Sequence, residues 1–241
     1  MKRKKKLFQI AIVSLLIVIA VNSFFVIKGV MEYRKGNSTY DEIKEIVIAV
    51  DPVNNQYGID FKKLKEINSD IVGWISLDGT VIDYPVVKGE DNDYYLHHLY
   101  TGEYNNLGTL FLDFRNKDPF EDRLTTIYGH SMLNGSMFFI LERYKRQDFY
   151  EQHKQFLFQT ENKNYILKPF AGKIVDAKKP FLRLDFENDD DFAEYIRTFV
   201  ENSTFKADFN VSSADKIVMM IKCSDDFEDA RYVLLCKVFD E

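Results

Sequence analysis

The sequence has few cysteines, with only Cys223 and Cys236 among its 241 residues. Two cysteines are too few for a fold that disulfides hold together. A single bridge between them would close a short hairpin, and their spacing leaves that alternative open. No metal-binding spacing relates the cysteines to the four histidines, which are His97, His98, His130 and His153. We therefore expect no disulfide scaffold, no metal site and no cofactor.

The sequence is also short of positive charge, with 32 lysines and arginines against 38 aspartates and glutamates. Five of the positive charges stand together at residues 2–6, so the part after Gly36 is more acidic than the net charge of −6 indicates. An acidic body argues against nucleic acid as a partner and tolerates an amine-bearing one. The chain has no internal repeat, and its 46% apolar content predicts one good-sized core.

Residues 7–27 form a long run without any charged residue. As a helix rising about 1.5 Å per residue, the run is long enough to cross about 30 Å of hydrocarbon. The basic residues 2–6 before it keep the N-terminal tail (residues 1–6) in the cytoplasm and send the rest outside. Because the apolar run continues well past Ala20, we favour a retained signal-anchor over a cleaved signal peptide.

Two helical patterns follow the apolar run. The first starts at the capping candidates Ser38 or Thr39 and ends at Pro52, and the second starts at Asp60. Both carry an apolar stripe that needs a surface to cover. Residues 28–68 are therefore predicted to be a linker and two N-terminal helices that pack on the main domain.

Strand patterns dominate from Ile71 onwards, beginning with the runs VGWISL and TVIDYPVV on either side of the Asp78-Gly79 turn. A short helix or turn within residues 92–100 is expected to carry Tyr95, Leu96 and Leu99 inward. Further strands are predicted at residues 108–114, 124–128, 154–160, 164–168, 170–176, 217–221 and 232–239, and helices at 136–144 and 189–205. The three aspartates at 189–191 lack EF-hand spacing, which favours a helix start over a calcium site. Many short strands with an inserted helix predict a mainly β fold with helices (α+β), arranged as a mixed barrel.

Three residues of complementary chemistry lie at predicted strand ends. Cys223 closes a strand, Arg231 opens the next one after a polar loop that starts at Ser224, and His130 follows a strand and a glycine. A lone cysteine in an apolar strand is usually a core residue. A cysteine nucleophile, however, needs a thiolate, a proton donor for the leaving amine and charge stabilisation for the tetrahedral intermediate. Cys223, His130 and Arg231 supply one of these each.

The chain resembles the class B sortases, which are membrane-anchored cysteine transpeptidases of Gram-positive bacteria. The likeness covers nearly the whole length, including the signal-anchor and the helix at 189–205. It is carried by the runs INSDIVGWISLDGTVIDYPVVKGEDNDYYLHHLY and GTLFLDFRN, the YGHSM segment, and Cys223 with Arg231 eight residues on. The resemblance implies an eight-stranded sortase β-barrel over residues 69–241, an N-terminal helical pack, and a helix inserted between the sixth and seventh strands.

The resemblance also implies a reaction, with His130, Cys223 and Arg231 as its catalytic residues. In that family the cysteine attacks a threonine carbonyl in the C-terminal sorting motif of a surface protein and forms a thioester. An amine of peptidoglycan, or of its lipid-linked precursor, then resolves the thioester, which implies a cell-membrane protein with an extracellular catalytic domain. The residues that we assign to substrate binding on this basis are Asn92, Leu96, Tyr128, Ile221 and Lys222.

The four residues before Cys223 depart from the usual Thr-Leu-x-Thr of the family, since they read Met219, Met220, Ile221 and Lys222. Three alternatives stay open for the lysine: its ammonium favours the thiolate, it obstructs the threonine pocket, or it points away into solvent. Two other functions also stay open. One is a cysteine protease of the same fold in which water resolves the thioester, and the other is a low-activity, sortase-like binding protein of the cell wall.

Overall fold

The computed structural model of the protein describes residues 2–50, 57–117, 119–132, 135–223 and 230–241. The chain divides into two compact units, Met1–Ile43 and Lys44–Glu241. The first unit consists of the greater part of one helix, α1 (Lys2–Val47). Its large apolar side chains between Leu7 and Met31 are exposed. By length and composition this helix fits either a membrane span or a signal sequence.

The expected separate helix from Ser38 is wrong in its start, because α1 continues without a break through this region to Val47. The Ser38 hydroxyl bonds the Glu42 carboxylate, and the Thr39 hydroxyl bonds the Lys35 carbonyl, so both are satisfied inside the helix and neither caps a new one. Residues 48–50, predicted as helix, form a strand. Pro52 lies outside the described residues.

The second unit contains a closed barrel of eight strands, which confirms the predicted fold. A two-stranded sheet of β1 (Ile48–Val50) and β2 (Tyr57–Ile59) and the helix α2 (Phe61–Ile67) come before it. The barrel strands are β3 (Ile71–Ser76), β4 (Asp83–Val87), β5 (Leu110–Leu112), β6 (Leu124–His130), β7 (Phe156–Gln159), β8 (Asn164–Asp176), β9 (Ile217–Cys223) and β10 (Ala230–Asp240). Around the barrel they follow the order β10-β8-β7-β3-β4-β5-β6-β9.

The Asp78-Gly79 turn joins β3 and β4 as the sequence predicts. Gly79 has φ +69°, a left-handed conformation that glycine adopts without steric cost. The Asp78 carboxylate accepts a hydrogen bond of 2.9 Å from the Gly79 amide. The turn therefore fixes the antiparallel register in which Ser76 pairs with Asp83.

The helix α4 (Asp189–Val200) lies in the chain between β8 and β9, the sixth and seventh barrel strands, which confirms the predicted insertion. The Asn188 side chain caps it by accepting from the Asp191 amide at 2.9 Å. The buried residues of α4 share one core cluster with residues of β9 and β10, namely Phe192, Tyr195, Ile196, Phe199, Ile217, Met219, Ile221, Val233 and Leu235. The helix ends earlier than predicted because Ser203 and Thr204 bond to the backbone of Gly172 in β8.

Strand β8 is one continuous strand, although the sequence predicts two. Pro169, where the prediction breaks, pairs with Cys236 at a register shift in β10, and such an irregularity tolerates a residue without an amide proton. The Cys236 thiol is free and buried, which removes the alternative of a bridge to Cys223. The predicted helix near residue 140 is a 3-10 helix, Phe138–Lys145, and the short α3 (Gln147–Gln152) was not predicted.

Candidate active site

The strands β6 and β9 run parallel and pair along their whole length, from Leu124 with Ile217 to His130 with Cys223. Parallel neighbours end at the same edge of a sheet. The last pair of this ladder therefore brings the predicted catalytic histidine and the backbone of the predicted cysteine side by side at one rim of the barrel.

Arg231 lies at the same rim on β10. The antiparallel ladder of β9 and β10 ends with the pair of Ile221 and Val233, and Arg231 lies two residues beyond Val233, at the end of the barrel where Cys223 ends β9. On its other side Arg231 pairs with Val175 of β8. The structure thus assembles the three predicted catalytic positions from three adjacent strands. The intervening loop, with Ser224, lies outside the described residues.

The imidazole of His130 is held by a backbone carbonyl. Its Nε2 lies 2.6 Å from the Leu96 carbonyl oxygen, and the ring is largely buried. Because a carbonyl oxygen accepts but never donates, Nε2 carries the proton of this hydrogen bond. Nδ1 is then the nitrogen that gains and loses a proton as His130 changes charge. A second imidazole, that of His97, has its ring centre 6.1 Å from that of His130.

Gly108 permits the close approach of this carbonyl to His130. It has φ +61°, and a Cβ there would lie 2.6 Å from the Leu96 oxygen and 3.0 Å from the His130 ring. Both distances are shorter than ordinary contacts, so a larger residue would displace the carbonyl, the imidazole or both. Gly108 is therefore a structural requirement of the site.

Three of the predicted substrate-binding residues, Leu96, Tyr128 and Ile221, contact His130 or lie on its face of the sheet, and a fourth, Asn92, contacts the turn that follows β5. Tyr128 is two residues before His130 on β6 and thus on the same face, and it pairs with Ile221 of β9. The Leu96 carbonyl accepts the hydrogen bond of His130 Nε2, and its side chain is partly buried, whereas Tyr95 and Leu99 are buried as predicted. Asn92 accepts a hydrogen bond of 3.0 Å from the Phe114 amide.

Lys222 is set apart from these four. It pairs with Gly129, so it shares the face of β6 and β9 that is opposite to His130 and Tyr128. Its ammonium lies 2.7 Å from Glu142 Oε1 and 5.7 Å from the centre of the Phe139 ring. Only 9% of Lys222 is exposed, so the alternative of a solvated side chain does not hold. Partial burial raises the pKa of Glu142, but the hydrogen bonds and charges of Lys222 and Lys145 outweigh it and hold that pKa below its ordinary value.

Asp113, which the sequence analysis does not identify, has a carboxylate that lies next to Tyr128. The side chain of Asp113 is fully buried, and it accepts hydrogen bonds from the Tyr128 hydroxyl at 2.9 Å and from Arg115 at 2.8 and 2.7 Å. Burial raises the pKa of Asp113, but the hydrogen bonds from Arg115 and Tyr128 together outweigh it and keep that pKa below its ordinary value. An Asp-x-Arg sequence directly after a strand is the signal that identifies the pair.

No group of three or more histidine, cysteine or acidic residues in the described part of the chain is arranged to hold a metal ion.

Comparison with known proteins adds relatives over almost the full length. No protein-family model matches the chain. Sortase B of Staphylococcus aureus (strain NCTC 8325 / PS 47) is 30% identical over 239 residues, which cover 98% of each chain. Sortase B of Listeria monocytogenes serovar 1/2a is 32% identical over 212 residues, which cover 86% of each.

Solved structures give the same result for the fold. A Staphylococcus aureus sortase B–substrate complex aligns with a TM-score of 0.76 at 32% identity, covering 87% of this chain and 99% of that one. Sortase B from Bacillus anthracis in complex with AAEK1 aligns with a TM-score of 0.77 at 31% identity, covering 88% and 99%.

Proposed function

This chain belongs to the class B sortase family, and we propose that it is a cysteine transpeptidase that attaches surface proteins to the cell wall. Its substrate is a surface protein with a C-terminal sorting motif, and its acceptor is an amine of peptidoglycan or of a lipid-linked precursor. One observation carries the proposal: the parallel pairing of β6 and β9 sets His130 and Cys223 side by side at the end of their strands.

In the first half of the reaction, the Cys223 thiolate attacks the carbonyl carbon of the motif's threonine. The carbon–sulfur bond forms, and the carbonyl oxygen takes the negative charge that Arg231 stabilises. When the tetrahedral intermediate collapses, the carbon–nitrogen bond breaks. The departing nitrogen keeps that electron pair and takes a proton from the His130 imidazolium, which leaves a thioester.

In the second half, the acceptor amine attacks the thioester carbonyl. His130, now neutral, takes the proton that the attacking nitrogen loses, and the carbon–sulfur bond breaks to restore the thiolate. The Leu96 carbonyl accepts the hydrogen bond of Nε2 and keeps that nitrogen protonated, so in both steps the proton moves to or from Nδ1.

The alternative reactivity of Lys222 receives no support from its placement. Its ammonium is paired with Glu142 on the face opposite to His130. This position supports neither activation of the thiolate nor obstruction of the threonine pocket. This supports an active enzyme over a wall-associated protein that has lost turnover.

We further propose that residues 7–27 are a retained signal-anchor. Residues 1–6 are then a cytoplasmic tail, residues 28–68 a linker with the N-terminal helical segments, and residues 69–241 an extracellular catalytic domain. The exposed apolar surface of α1 supports a position in the membrane. The basic residues before it support the orientation.

Intact-mass analysis of the full-length protein in detergent, incubated with a library of sorting-motif peptides, tests the proposal. The wild type is expected to gain the mass of an acyl fragment, and Cys223→Ala is expected to gain none. An added amine should convert the adduct into an amide product, whereas a hydrolase would release the free acid at the same rate with or without amine. A Cys223→Ala variant that still processes the peptide would contradict the nucleophile.

A further inference from the structure

Two of the predicted substrate-binding residues are fixed by the same short turn, residues 113–115, which follows β5. The Asn92 carboxamide oxygen accepts from the Phe114 amide at 3.0 Å, and the Tyr128 hydroxyl donates to Asp113 Oδ2 at 2.9 Å. Asn92 and Tyr128 come from separate parts of the chain, one in the segment between β4 and β5 and the other in β6. The 113–115 turn therefore links the segment of Asn92 to strand β6.

Asp113 is itself held in place from several directions. Arg115 donates to its two carboxylate oxygens from Nε at 2.8 Å and Nη2 at 2.7 Å, and the Arg115 amide adds a third bond at 3.0 Å. The Asp113 amide donates to the Thr126 carbonyl of β6 at 2.9 Å. A two-point arginine–carboxylate pair is both strong and specific in geometry. Since the carboxylate is fully buried, this network sets its position and keeps it ionised.

The network also sets which hydrogen-bonding group each of the two residues presents. A phenol has a single proton, and that of Tyr128 is given to Asp113. A carboxamide has one oxygen and one NH₂ group, and the oxygen of Asn92 is turned towards the Phe114 amide. The turn thus determines the orientation of both polar groups as well as their positions.

We propose that Asp113 is a positioning residue of the sortase reaction, acting with Arg115 through Tyr128 and Asn92 on the binding of the sorting motif. The inference rests on the proposed function and deepens it. Asp113 orients the groups that recognise the peptide, and the cysteine chemistry stays with His130, Cys223 and Arg231. Loss of Asp113 therefore weakens peptide binding more than it slows the chemical steps.

The test is Asp113→Asn in the full-length protein in detergent. Asparagine has the same shape but no charge, so it keeps one acceptor for the Tyr128 hydroxyl and loses the paired bonds to Arg115. The probe is the motif peptide that the wild type selects from the library. We expect KM for this peptide to rise about tenfold, in the range for loss of a charge-assisted hydrogen bond, while kcat changes less than about threefold.

A matched control is Asp208→Asn. Asp208 accepts from the Tyr150 hydroxyl at 3.0 Å and pairs with Lys154 at 2.6 Å, so it has the same kinds of partner next to α3, with a carboxylate that is 62% exposed where that of Asp113 is buried. We expect KM and kcat of this variant to stay within about twofold of the wild type, because in the described part of the chain its network contacts none of the predicted substrate-binding residues.

A double-mutant cycle separates positioning from general destabilisation. If Asp113 acts through Tyr128, then Asp113→Asn should raise KM at least threefold less in a Tyr128→Phe background than in the wild type. A purely structural effect would raise KM equally in both backgrounds, and that result would overturn the inference. Arg115→Lys keeps the positive charge but loses the two parallel hydrogen bonds to Asp113. If Asp113→Asn does not fold, KM of Arg115→Lys is compared in the same two backgrounds.

The outcomes distinguish this inference from the proposed function. A wild type that forms the adduct, with an unchanged KM in Asp113→Asn, would overturn the positioning role and leave the transpeptidase intact. A folded wild type that forms no adduct with any peptide would overturn both. The rate at which iodoacetamide alkylates Cys223 separates a loss of thiol reactivity from a loss of peptide recognition.

Discussion

The Lys222 ammonium lies 2.7 Å from the Glu142 carboxylate, on the face of β9 that is turned away from His130. The contact joins the penultimate residue of β9, the strand that ends at Cys223, to the 3-10 helix Phe138–Lys145. It is a mostly buried cation against a carboxylate that is 39% exposed. We interpret the pair as a contact that stabilises the packing of the 3-10 helix on β9 and takes no part in the reaction.

Replacing Lys222 by Met tests this interpretation. We expect the free energy of unfolding to fall by about 1 kcal/mol, since the partial exposure of Glu142 and its contact with Lys145 reduce the cost of losing the partner. That corresponds to a Tm lower by about 2–4 °C in a domain of this size. Glu142→Gln should cost more, because it leaves a buried ammonium without a carboxylate. Peptide adduct formation should persist in both variants. Its loss at unchanged Tm would assign Lys222 to substrate binding.

Gly108→Ala is expected to impair the site as well as the fold. An added Cβ meets the Leu96 oxygen at 2.6 Å and the His130 ring at 3.0 Å, so the hydrogen bond that orients His130 is displaced. We expect the rate of adduct formation to fall at least tenfold. The control is Gly79→Ala, which has a similar φ of +69° but its nearest neighbour at 4.0 Å. Both variants should lose about 1 kcal/mol of stability from backbone strain, and equal rates of adduct formation would contradict a role for Gly108 at His130.

The two cysteines should differ in their reaction with iodoacetamide. Burial raises the pKa of the Cys236 thiol well above its ordinary value, and it also prevents iodoacetamide from reaching the sulfur. We expect one alkyl group on the native wild type, none on native Cys223→Ala, and two on the unfolded wild type, all measured by intact mass. Alkylation of Cys236 in the native Cys223→Ala variant would show that the barrel opens at β10.

The stabilising effect of Asp113 should depend on pH. Its pKa in the folded protein lies below the unfolded value, so its contribution is fully present above the unfolded pKa and is lost as the pH falls towards the folded pKa. The difference in unfolding free energy between the wild type and Asp113→Asn should therefore be largest above about pH 5 and shrink below about pH 4. Urea unfolding of both proteins between pH 7 and pH 3 measures it. A difference that grows on acidification would mean that the carboxyl is protonated in the folded state.

Some of these relationships could be predicted from the sequence and others could not. Strand positions follow from short apolar runs and turn residues, so β6 and β9 were placed nearly correctly along with the Asp78-Gly79 turn. Local patterns carry less information about where a helix continues. The start predicted at Ser38 and the end predicted at Phe205 both failed, the first because side chains bond within α1 and the second because β8 captures Ser203 and Thr204.

The sequence by itself determined that His130, Cys223 and Arg231 stand at strand ends, because apolar periodicity and its interruptions are local properties of the chain. Tertiary structure decided that these ends meet, since a parallel β6–β9 ladder joins segments that are far apart in sequence. It also decided the partners of the charged residues. Lys222 pairs with Glu142 across 80 positions, and Asp113 binds Tyr128 across 15. Such contacts depend on how the barrel closes, and no local pattern of residues specifies that closure.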